Sequence, residues 1–263
     1  MTLEQGDRLI LLTNDDGIYA GGLKTLLEVM EEFGKVVLIS SAEGMSGMAQ
    51  AITVKTPLRV KLLEETEKHI MYVCNGTPAD CVKMAITQLL DRMPDWVVSG
   101  INHGSNASAS VLYSGTMGAA IEGCINGKTS VGFSLDNYSS TADFSACKKY
   151  IREVMQMLEH GDLPQGICLN VNIPKAEADE IRGIKICRHA GGSWKDDFEK
   201  RIDPMGKAYY WLTGEYVNHE PDATDTDEWA LANNYVSVSP VSVDMTAHEY
   251  LDTLRERFKR SLC

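Results

Sequence analysis

The arrangement of apolar segments constrains the fold of this chain more than any other feature. Residues 9–12 and 35–40 form short apolar runs, and the segment between them places large apolar side chains at helical spacing: Leu23, Leu26, Leu27 and Met30. Uninterrupted runs of this length are typical of strands buried on both faces of a sheet, and two such strands joined by a helix are normally parallel. The first 40 residues therefore predict a β-α-β unit.

The same alternation continues through the first two thirds of the chain. Apolar strand patterns recur at residues 71–74, 95–99, 130–135 and 167–173. Helical patterns lie near Thr77, at residues 117–125 and at residues 147–158. This order of elements predicts an α/β fold with a Rossmann-like, doubly wound and mostly parallel sheet.

The character of the sequence changes at Gly183. Charged and aromatic residues are mixed over residues 191–216, and residues 233–243 alternate between apolar and polar types as a strand does. An amphipathic pattern at residues 247–258 predicts a terminal helix. We expect a core of residues 1–182 and a β-hairpin extension and oligomerisation arm of residues 183–263 that packs on it, so that the chain forms a single structural domain.

Composition excludes several classes of protein. The formal net charge of −12 disfavours non-specific binding to a nucleic-acid polymer. The seven cysteines are scattered without a CxxC pair, which predicts reduced thiols in a reducing compartment. No segment reaches the ~18 to 20 apolar residues of a membrane-spanning helix, and the first residues lack the features of a signal peptide. We expect a cytoplasmic protein with no membrane partner.

Asp15 and Asp16 follow the first predicted strand directly, within the sequence TNDDG. Ligands of open α/β sheets bind at the carboxyl ends of the strands, where this pair is expected to lie. Two adjacent carboxylates beside a core repel each other unless a cation offsets their charge, and a hard divalent cation prefers such oxygen ligands. The alternative is that one aspartate caps the following helix while the other is solvated.

Three further polar segments are expected at the same edge of the sheet. Ser46 lies in the loop after the second strand, and Asn102 follows the strand at residues 95–99; both offer neutral oxygens, although a solvated serine and a turn asparagine are the alternatives. Residues 114–116, the sequence SGT, precede a helix whose backbone N–H groups could face an anion. The alternative for Ser114 is an ordinary helix cap.

Other polar residues carry weaker predictions. Asp80 is expected to favour the start of a helix, and His103 is expected at the surface. Asp244 and His248 are expected to cluster at the start of the last helix. Neither G-x-G-x-x-G nor the Walker phosphate loop is present, so a dinucleotide cofactor and ATP hydrolysis lack their usual signatures.

Taken together, these segments resemble the survival protein SurE family of nucleotidases, and the resemblance covers nearly the whole chain. Five family motifs occur in the same order: TNDDG at residues 13–17, SG at 46–47 with IT at 52–53, GTPADCV at 76–82, SGINHGSN at 99–106 and SGT at 114–116.

The resemblance implies a role for each of these residues. Asp15, Asp16, Ser46 and Asn102 would hold one magnesium or manganese ion per subunit. The residues in contact with the substrate phosphate would be Asn106, Ser114, Gly115 and Thr116, and those with catalytic roles Asp15, Asp16 and Asn106.

It also implies the reaction and the assembly. The expected activity is hydrolysis of nucleoside 5′- and 3′-monophosphates, and some members of the family also shorten polyphosphate. The expected assembly is a homodimer or homotetramer with an exchanged C-terminal arm and a projecting hairpin, which residues 206–216 resemble.

Three other functions are alternatives from the residues alone. A phosphatase that forms an aspartyl-phosphate would place an aspartate after the first strand, but usually with D-x-D spacing. A nucleotide-binding regulator would keep the SGT segment without needing the acidic pair. A structural assembly protein would use the aromatic hairpin, but would not explain why polar loops converge on one edge of the sheet.

Overall fold

The computed structural model describes residues 8–161 and 163–261, with the side chains of residues 260 and 261 left out of the description. Within this part of the chain the strands are β1 (Leu9–Thr13), β2 (Lys35–Ser41), β3 (Val60–Glu65), β4 (His69–Cys74), β5 (Trp96–His103), β6 (Thr129–Leu135), β7 (Ile167–Ile173), β8 (Ile184–Ile186), β9 (Gly192–Ile202), β10 (Ala208–Asn218) and β11 (Val236–Ser242). The α-helices are α1 (Gly21–Met30), α2 (Pro78–Met84), α3 (Gly115–Ile125), α4 (Cys147–Glu159), α5 (Asp227–Ala232) and α6 (Leu251–Ser261).

The described strands form one large sheet in the order β3-β4-β2-β1-β5-β6-β7-β11-β8. The pairs from β4 through β7 are parallel, whereas β3 and β11 run antiparallel to β4 and β7. The chain extends the sheet from β1 to β2 and β4 on one side, then returns to β5 on the other side. The strand order therefore reverses between β1 and β5, and the doubly wound, mostly parallel α/β prediction is confirmed.

The central strand β1 has no solvent-facing side because helices cover both faces of the sheet. Ile10 and Leu12 pack in the cluster that includes the apolar faces of α1 and α4, whereas Leu11 packs in the opposite cluster with α2 and α3. This alternation is the ordinary period of two along a strand. It explains why the sequence of β1 is apolar at every position before Thr13.

The long hairpin forms a separate two-stranded sheet. Its strands β9 and β10 pair antiparallel from Gly192 opposite Asn218 to Ile202 opposite Ala208. The segment at residues 206–216, which resembles the family's hairpin, therefore covers only the turn and most of the second strand. The first strand is charged and exposed along most of its length, so its sequence lacks the alternation that marks a strand with one buried face.

Residues beyond Gly183 also add to the large sheet. The alternating segment becomes β11, which pairs with β7 and with the short strand β8. The terminal helix α6 begins at Leu251, after a 3-10 turn at His248–Tyr250, and so starts later than the predicted residue 247. The division of the chain into residues 1–182 and 183–263 stays a prediction.

Six cysteines are buried free thiols, and Cys263 lies outside the described residues. No helix in the described ranges combines the length and apolar character needed to cross a membrane.

Gly118 sets how closely α3 approaches the loop that carries Ser46. A Cβ at Gly118 would lie 2.2 Å from the carbonyl oxygen of Ala49, so a side chain there must push the loop and the helix apart. We expect Gly118→Ala to lower the free energy of unfolding by about 2 kcal/mol, although alanine favours helix formation. The measurement is urea unfolding followed by circular dichroism.

Gly161→Ala is the matched control, because a Cβ there would meet open space. A Gly118→Ala variant as stable as this control would contradict the close packing of α3 on the loop.

Candidate active site

A cavity of about 560 Å³ opens at the carboxyl edge of the sheet, where β1 and β5 end. Five of the residues selected from the sequence line it: Asp15, Ser46, Asn102, Asn106 and Ser114. The remaining lining residues were not selected: Gly47, His103, Ser105, Ser110, Tyr113, Tyr138, Trp194, Asp196, Leu212, Thr213 and Gly214. The cavity lies at the switch point of a doubly wound sheet, which is where such folds bind ligands.

The Asp15 carboxylate is nearly inaccessible to solvent, with 3% of the residue exposed. The hydroxyl of Thr116 donates a hydrogen bond to Asp15 Oδ1 at 2.5 Å. Burial raises the pKa of Asp15 to about 6, opposed in part by the hydrogen bonds from Thr116 and reinforced by the charge of Asp16. Within the described ranges no ion pair includes Asp15 or Asp16.

Asp16 points toward the end of β5. Its Oδ2 accepts a hydrogen bond from the backbone N–H of His103 at 3.1 Å. Burial raises the pKa of Asp16, although this hydrogen bond and the nearby His103 partly oppose the shift. His103 is partly buried and packs edge-on against the Phe144 ring at 4.9 Å, so the predicted surface position of His103 is replaced by one in the cavity wall.

The turn after β1 is fixed by Asn14 and Gly17. The Asn14 amide donates to the carbonyl oxygen of Gly17 at 3.0 Å and accepts from the hydroxyl of Ser40 at the end of β2. Gly17 has a φ of +98°, a conformation that side chains rarely adopt. Asn14 therefore joins the ends of two neighbouring strands and fixes the turn from which Asp15 enters the cavity.

Asn102 and Ser46 supply the neutral oxygens of the site. The Asn102 amide nitrogen donates to the carbonyl oxygens of Gly104 at 2.8 Å and His103 at 3.1 Å. These two bonds orient the side chain and leave its Oδ1 as the acceptor available to a ligand. Ser46 lies in an exposed loop, which a hydrogen bond of 2.6 Å from Met45 N–H to the Asp15 carbonyl oxygen ties to the acidic pair.

The residues expected to hold a cation present a set of oxygen donors. Two carboxylates, an amide oxygen and a hydroxyl suit a hard divalent cation such as magnesium or manganese better than a softer metal. Across the described part of the chain, no group of three or more His, Cys, Asp or Glu side chains could hold a metal ion. Asp15 is buried and Asp16 partly buried, and neither forms an ion pair with a described Lys or Arg side chain. These oxygen donors therefore fit a hard cation rather than zinc.

Ser114, Gly115 and Thr116 form the start of α3 and surround Asp15. The Ser114 hydroxyl accepts a hydrogen bond from Met117 N–H at 3.0 Å, which is the helix cap that was the alternative prediction. A Cβ at Gly115 would lie 2.9 Å from Asp15 Oδ2, so only glycine permits this approach. Thr116 is fully buried, and its hydroxyl already donates its hydrogen bond to Asp15. The positive end of the α3 dipole nevertheless faces this edge of the sheet and favours an anion.

Asn106 is held by the neighbouring strands on both its side chain and its backbone. Its amide donates to the Ser134 hydroxyl at 2.8 Å, and its backbone N–H donates to Asn172 Oδ1 at 2.7 Å. Its carbonyl oxygen accepts from the Asn170 amide at 2.8 Å. These contacts from β6 and β7 fix Asn106 in the cavity wall before any ligand binds.

Asp80 has a structural role outside the cavity. It forms a capping box with Thr77 at the start of α2 and accepts the backbone N–H of Thr53 at 3.0 Å. Burial opposes its ionisation, but these hydrogen bonds outweigh burial and lower its pKa. The predicted helix start near Thr77 is confirmed.

Asp227 was not identified from the sequence, although it anchors one wall of the cavity. It is fully buried and accepts the backbone N–H groups of Ser108 at 2.8 Å and Ala190 at 2.9 Å, and His189 Nδ1 lies 2.9 Å from it. Burial opposes ionisation of Asp227, but the hydrogen bonds from His189, Ser108 and Ala190 outweigh it and lower its pKa. The Ser108 hydroxyl also accepts from the Tyr216 hydroxyl of β10.

The acidic segment around Asp227 has a signal that could have revealed this role. Thr226 caps α5, and Asp227 occupies the first position after the cap, where a carboxylate suits the helix dipole. The pattern predicts a helix start, but it does not predict that the carboxylate reaches residues 108 and 190.

Comparisons with known proteins show similarity to one family along most of the chain. Residues 10–196 match the family model described as "Survival protein SurE". The chain is 50% identical over 248 residues to the 5′-nucleotidase SurE of Christiangramia forsetii, covering 94% of this chain and 95% of that relative. It is also 50% identical to the 5′-nucleotidase SurE of Flavobacterium psychrophilum, covering 94% and 96% of the two chains. The crystal structure of the SurE protein from Aquifex aeolicus superposes with a TM-score of 0.80 at 33% identity, covering 94% of this chain and 98% of that one.

The buried Asp227 carboxylate gives a testable contribution to stability. We expect Asp227→Asn to lower the free energy of unfolding by about 2 to 3 kcal/mol, because the asparagine NH₂ group would face a buried N–H donor. Urea unfolding measures the loss. Hydrogen exchange should show faster opening of the amide of Ser108.

Asp225→Asn is the control, since Asp225 is exposed two residues earlier and pairs with Arg188 at the surface. Equal stability of the two variants would contradict the anchoring role of Asp227.

Proposed function

This chain belongs to the survival protein SurE family, and we propose that its cavity hydrolyses the phosphate ester of nucleoside 5′-monophosphates. The activity is that of the 5′-nucleotidases to which it is 50% identical over nearly its full length. The observation that carries the proposal is the buried Asp15 carboxylate at the switch point of the sheet, which lines one cavity with Asn102 and Ser114 at the start of α3.

We propose that the enzyme depends on a divalent cation, magnesium or manganese. Asp15, Asp16, Ser46 and Asn102 would hold it, because they present oxygen donors at one edge of the sheet and because neither aspartate pairs with a described Lys or Arg. When bound, such a cation neutralises charge on the phosphoryl oxygens and favours ionisation of a water molecule. It would also offset the repulsion between the two adjacent carboxylates.

The protein's own groups would orient the phosphate and move the proton. The Asn106 side chain and the first turn of α3 would face the phosphoryl oxygens, as the helix dipole favours. Asp15 or Asp16 would accept the proton of an attacking water, and the hydrogen bond from Thr116 keeps the Asp15 carboxylate in one orientation. Attack by water is favoured over an aspartyl-phosphate because the acidic pair lacks D-x-D spacing.

Other parts of the proposal rest on the resemblance to the family. On that basis we also propose that the enzyme hydrolyses nucleoside 3′-monophosphates, that it shortens polyphosphate as a secondary activity, and that it lies in the cytoplasm. Assembly into a homodimer or homotetramer has a further support, because the hairpin exposes large apolar side chains such as Phe198, Trp211 and Leu212. A nucleotide-binding regulator without catalysis is disfavoured, because it would need only the SGT segment and would leave the acidic pair without a role.

Removal of the Asp15 charge tests both the metal and the reaction. We expect Asp15→Asn to lower kcat/KM for adenosine 5′-monophosphate by at least about 100-fold, because a charged group at the reacting centre is lost. Chelation of metal should abolish wild-type activity. Manganese should raise the Tm of the wild type but not of Asp15→Asn, because binding to the folded state stabilises it. The measurements are phosphate release and differential scanning calorimetry.

Asp91→Asn, at an exposed aspartate away from the cavity, is the control and should retain both responses. Metal-independent hydrolysis by the wild type, or unchanged metal-dependent hydrolysis by Asp15→Asn, would reject the proposed site. If the wild type releases no phosphate from adenosine 5′-monophosphate, the proposed function is rejected.

A further inference from the structure

The cavity is also lined by three aromatic residues from separate parts of the chain: Tyr113 before α3, Tyr138 after β6 and Trp194 of β9. We propose that these rings form a subsite that binds the nucleobase by stacking, with Tyr138 as its principal platform. This inference rests on the proposed function, because it concerns the part of the nucleotide that does not react.

Tyr138 is both exposed and fixed in place. The residue is 69% exposed, although its ring lies directly against the backbone of Gly104. A Cβ at Gly104 would lie 2.1 Å from Tyr138 Cε1, and the φ of +91° at Gly104 also disfavours any side chain. The backbone of Gly104 therefore limits movement of the Tyr138 ring. The residue lines the cavity and still exposes surface that a ligand can contact.

The other two rings are held by the elements that build the reacting end of the cavity. Tyr113 directly precedes Ser114, and its carbonyl oxygen accepts the N–H of Ala49 from the loop that carries Ser46. The Trp194 ring packs edge-on against Tyr216 at 6.0 Å, and the Tyr216 hydroxyl donates to Ser108. Tyr113 is 58% exposed and Trp194 is 38% exposed, so both retain surface for a ligand.

The charge of the cavity selects between possible ligand groups. None of the described residues that line it is Lys or Arg, and the hairpin contributes Asp196. A second phosphate or a longer phosphate chain would find no Lys or Arg among these lining residues, whereas a neutral aromatic base would find three aromatic side chains. This end of the nucleotide site therefore suits the base of a nucleoside monophosphate better than an extension of the phosphate.

Stacking also predicts how strongly the bases are distinguished. Every base presents a π-face, so recognition by stacking tolerates all of them and depends on ring size more than on hydrogen-bonding edges. The structure thus assigns the choice of a nucleotide over a sugar phosphate to Tyr138 and Trp194, and a moderate preference for purines to the larger stacking area of the double ring.

The test compares two substrates that share the ribose 5-phosphate group but differ in the base. Steady-state kinetics with saturating manganese would measure kcat and KM for adenosine 5′-monophosphate and for ribose 5-phosphate. The variants are Tyr138→Ala, Trp194→Ala and Tyr138→Phe, with Tyr210→Ala as the matched control because Tyr210 is an exposed hairpin tyrosine that does not line the cavity.

We expect Tyr138→Ala to raise the KM for the nucleotide about 10-fold and to leave its kcat within a factor of about two. The same variant should change kcat/KM for ribose 5-phosphate by less than about two-fold. Trp194→Ala should raise the KM for the nucleotide selectively but by a smaller factor. Tyr138→Phe should have the kinetic constants of the wild type, and Tyr210→Ala should change kcat and KM for neither substrate.

Two outcomes would overturn the subsite. Equal losses for both substrates in Tyr138→Ala would show that the ring only supports the fold, and no loss for either substrate would show that it does not contact the base. Failure of the proposed function is distinct from both, because the wild-type protein would then not hydrolyse adenosine 5′-monophosphate.

Discussion

The burial of the Asp15 carboxylate beside Asp16 is the constraint on which the rest of the site depends. Strand β1 is sealed on both faces by apolar side chains, so a charge at its end is costly unless polar groups surround it. The Thr116 hydroxyl donates to the carboxylate, Gly115 allows α3 to approach it closely, and Met45 N–H donates to the backbone carbonyl oxygen of Asp15. The requirement to hold one acidic pair thus fixes where α3 begins and where the loop after β2 lies.

The wall opposite the acidic pair is assembled from distant parts of the chain. Asn106 is fixed by side chains of β6 and β7, whereas Ser108 is fixed by Asp227 and Tyr216 from the last third of the sequence. The short segment between these two residues therefore joins the parallel sheet to the later additions. This arrangement explains why the last third of the chain adds strands to the main sheet and also reaches the cavity.

The sequence predicted the fold, and it predicted that residues such as Asp15 and Asn102 meet at one edge of the sheet, for the same physical reason. Apolar strands of a parallel sheet are recognisable locally, and polar residues such as Asp15 and Asn102 that follow them must meet at one edge. Residues such as Asp227, Tyr138 and Trp194 could not be found in this way, because their position depends on packing between segments far apart in sequence. The hairpin itself was predicted, but the limits of its strands were not, because solvent on both faces of its first strand removes the alternation that marks a strand with one buried face. His103 was misplaced for a related reason, since its partial burial against Phe144 is a tertiary contact.

The hairpin has no hydrogen-bonded strand partner outside itself among the described residues, yet it closes one side of the cavity. Substitutions along β9 and β10 can therefore reshape that side without altering the strands that carry Asp15 and Asn102. Selection for a new substrate range and preservation of the hydrolytic chemistry then act on separate stretches of sequence. The fold therefore allows descendants of one enzyme to diverge in substrate range while they retain the same hydrolytic mechanism.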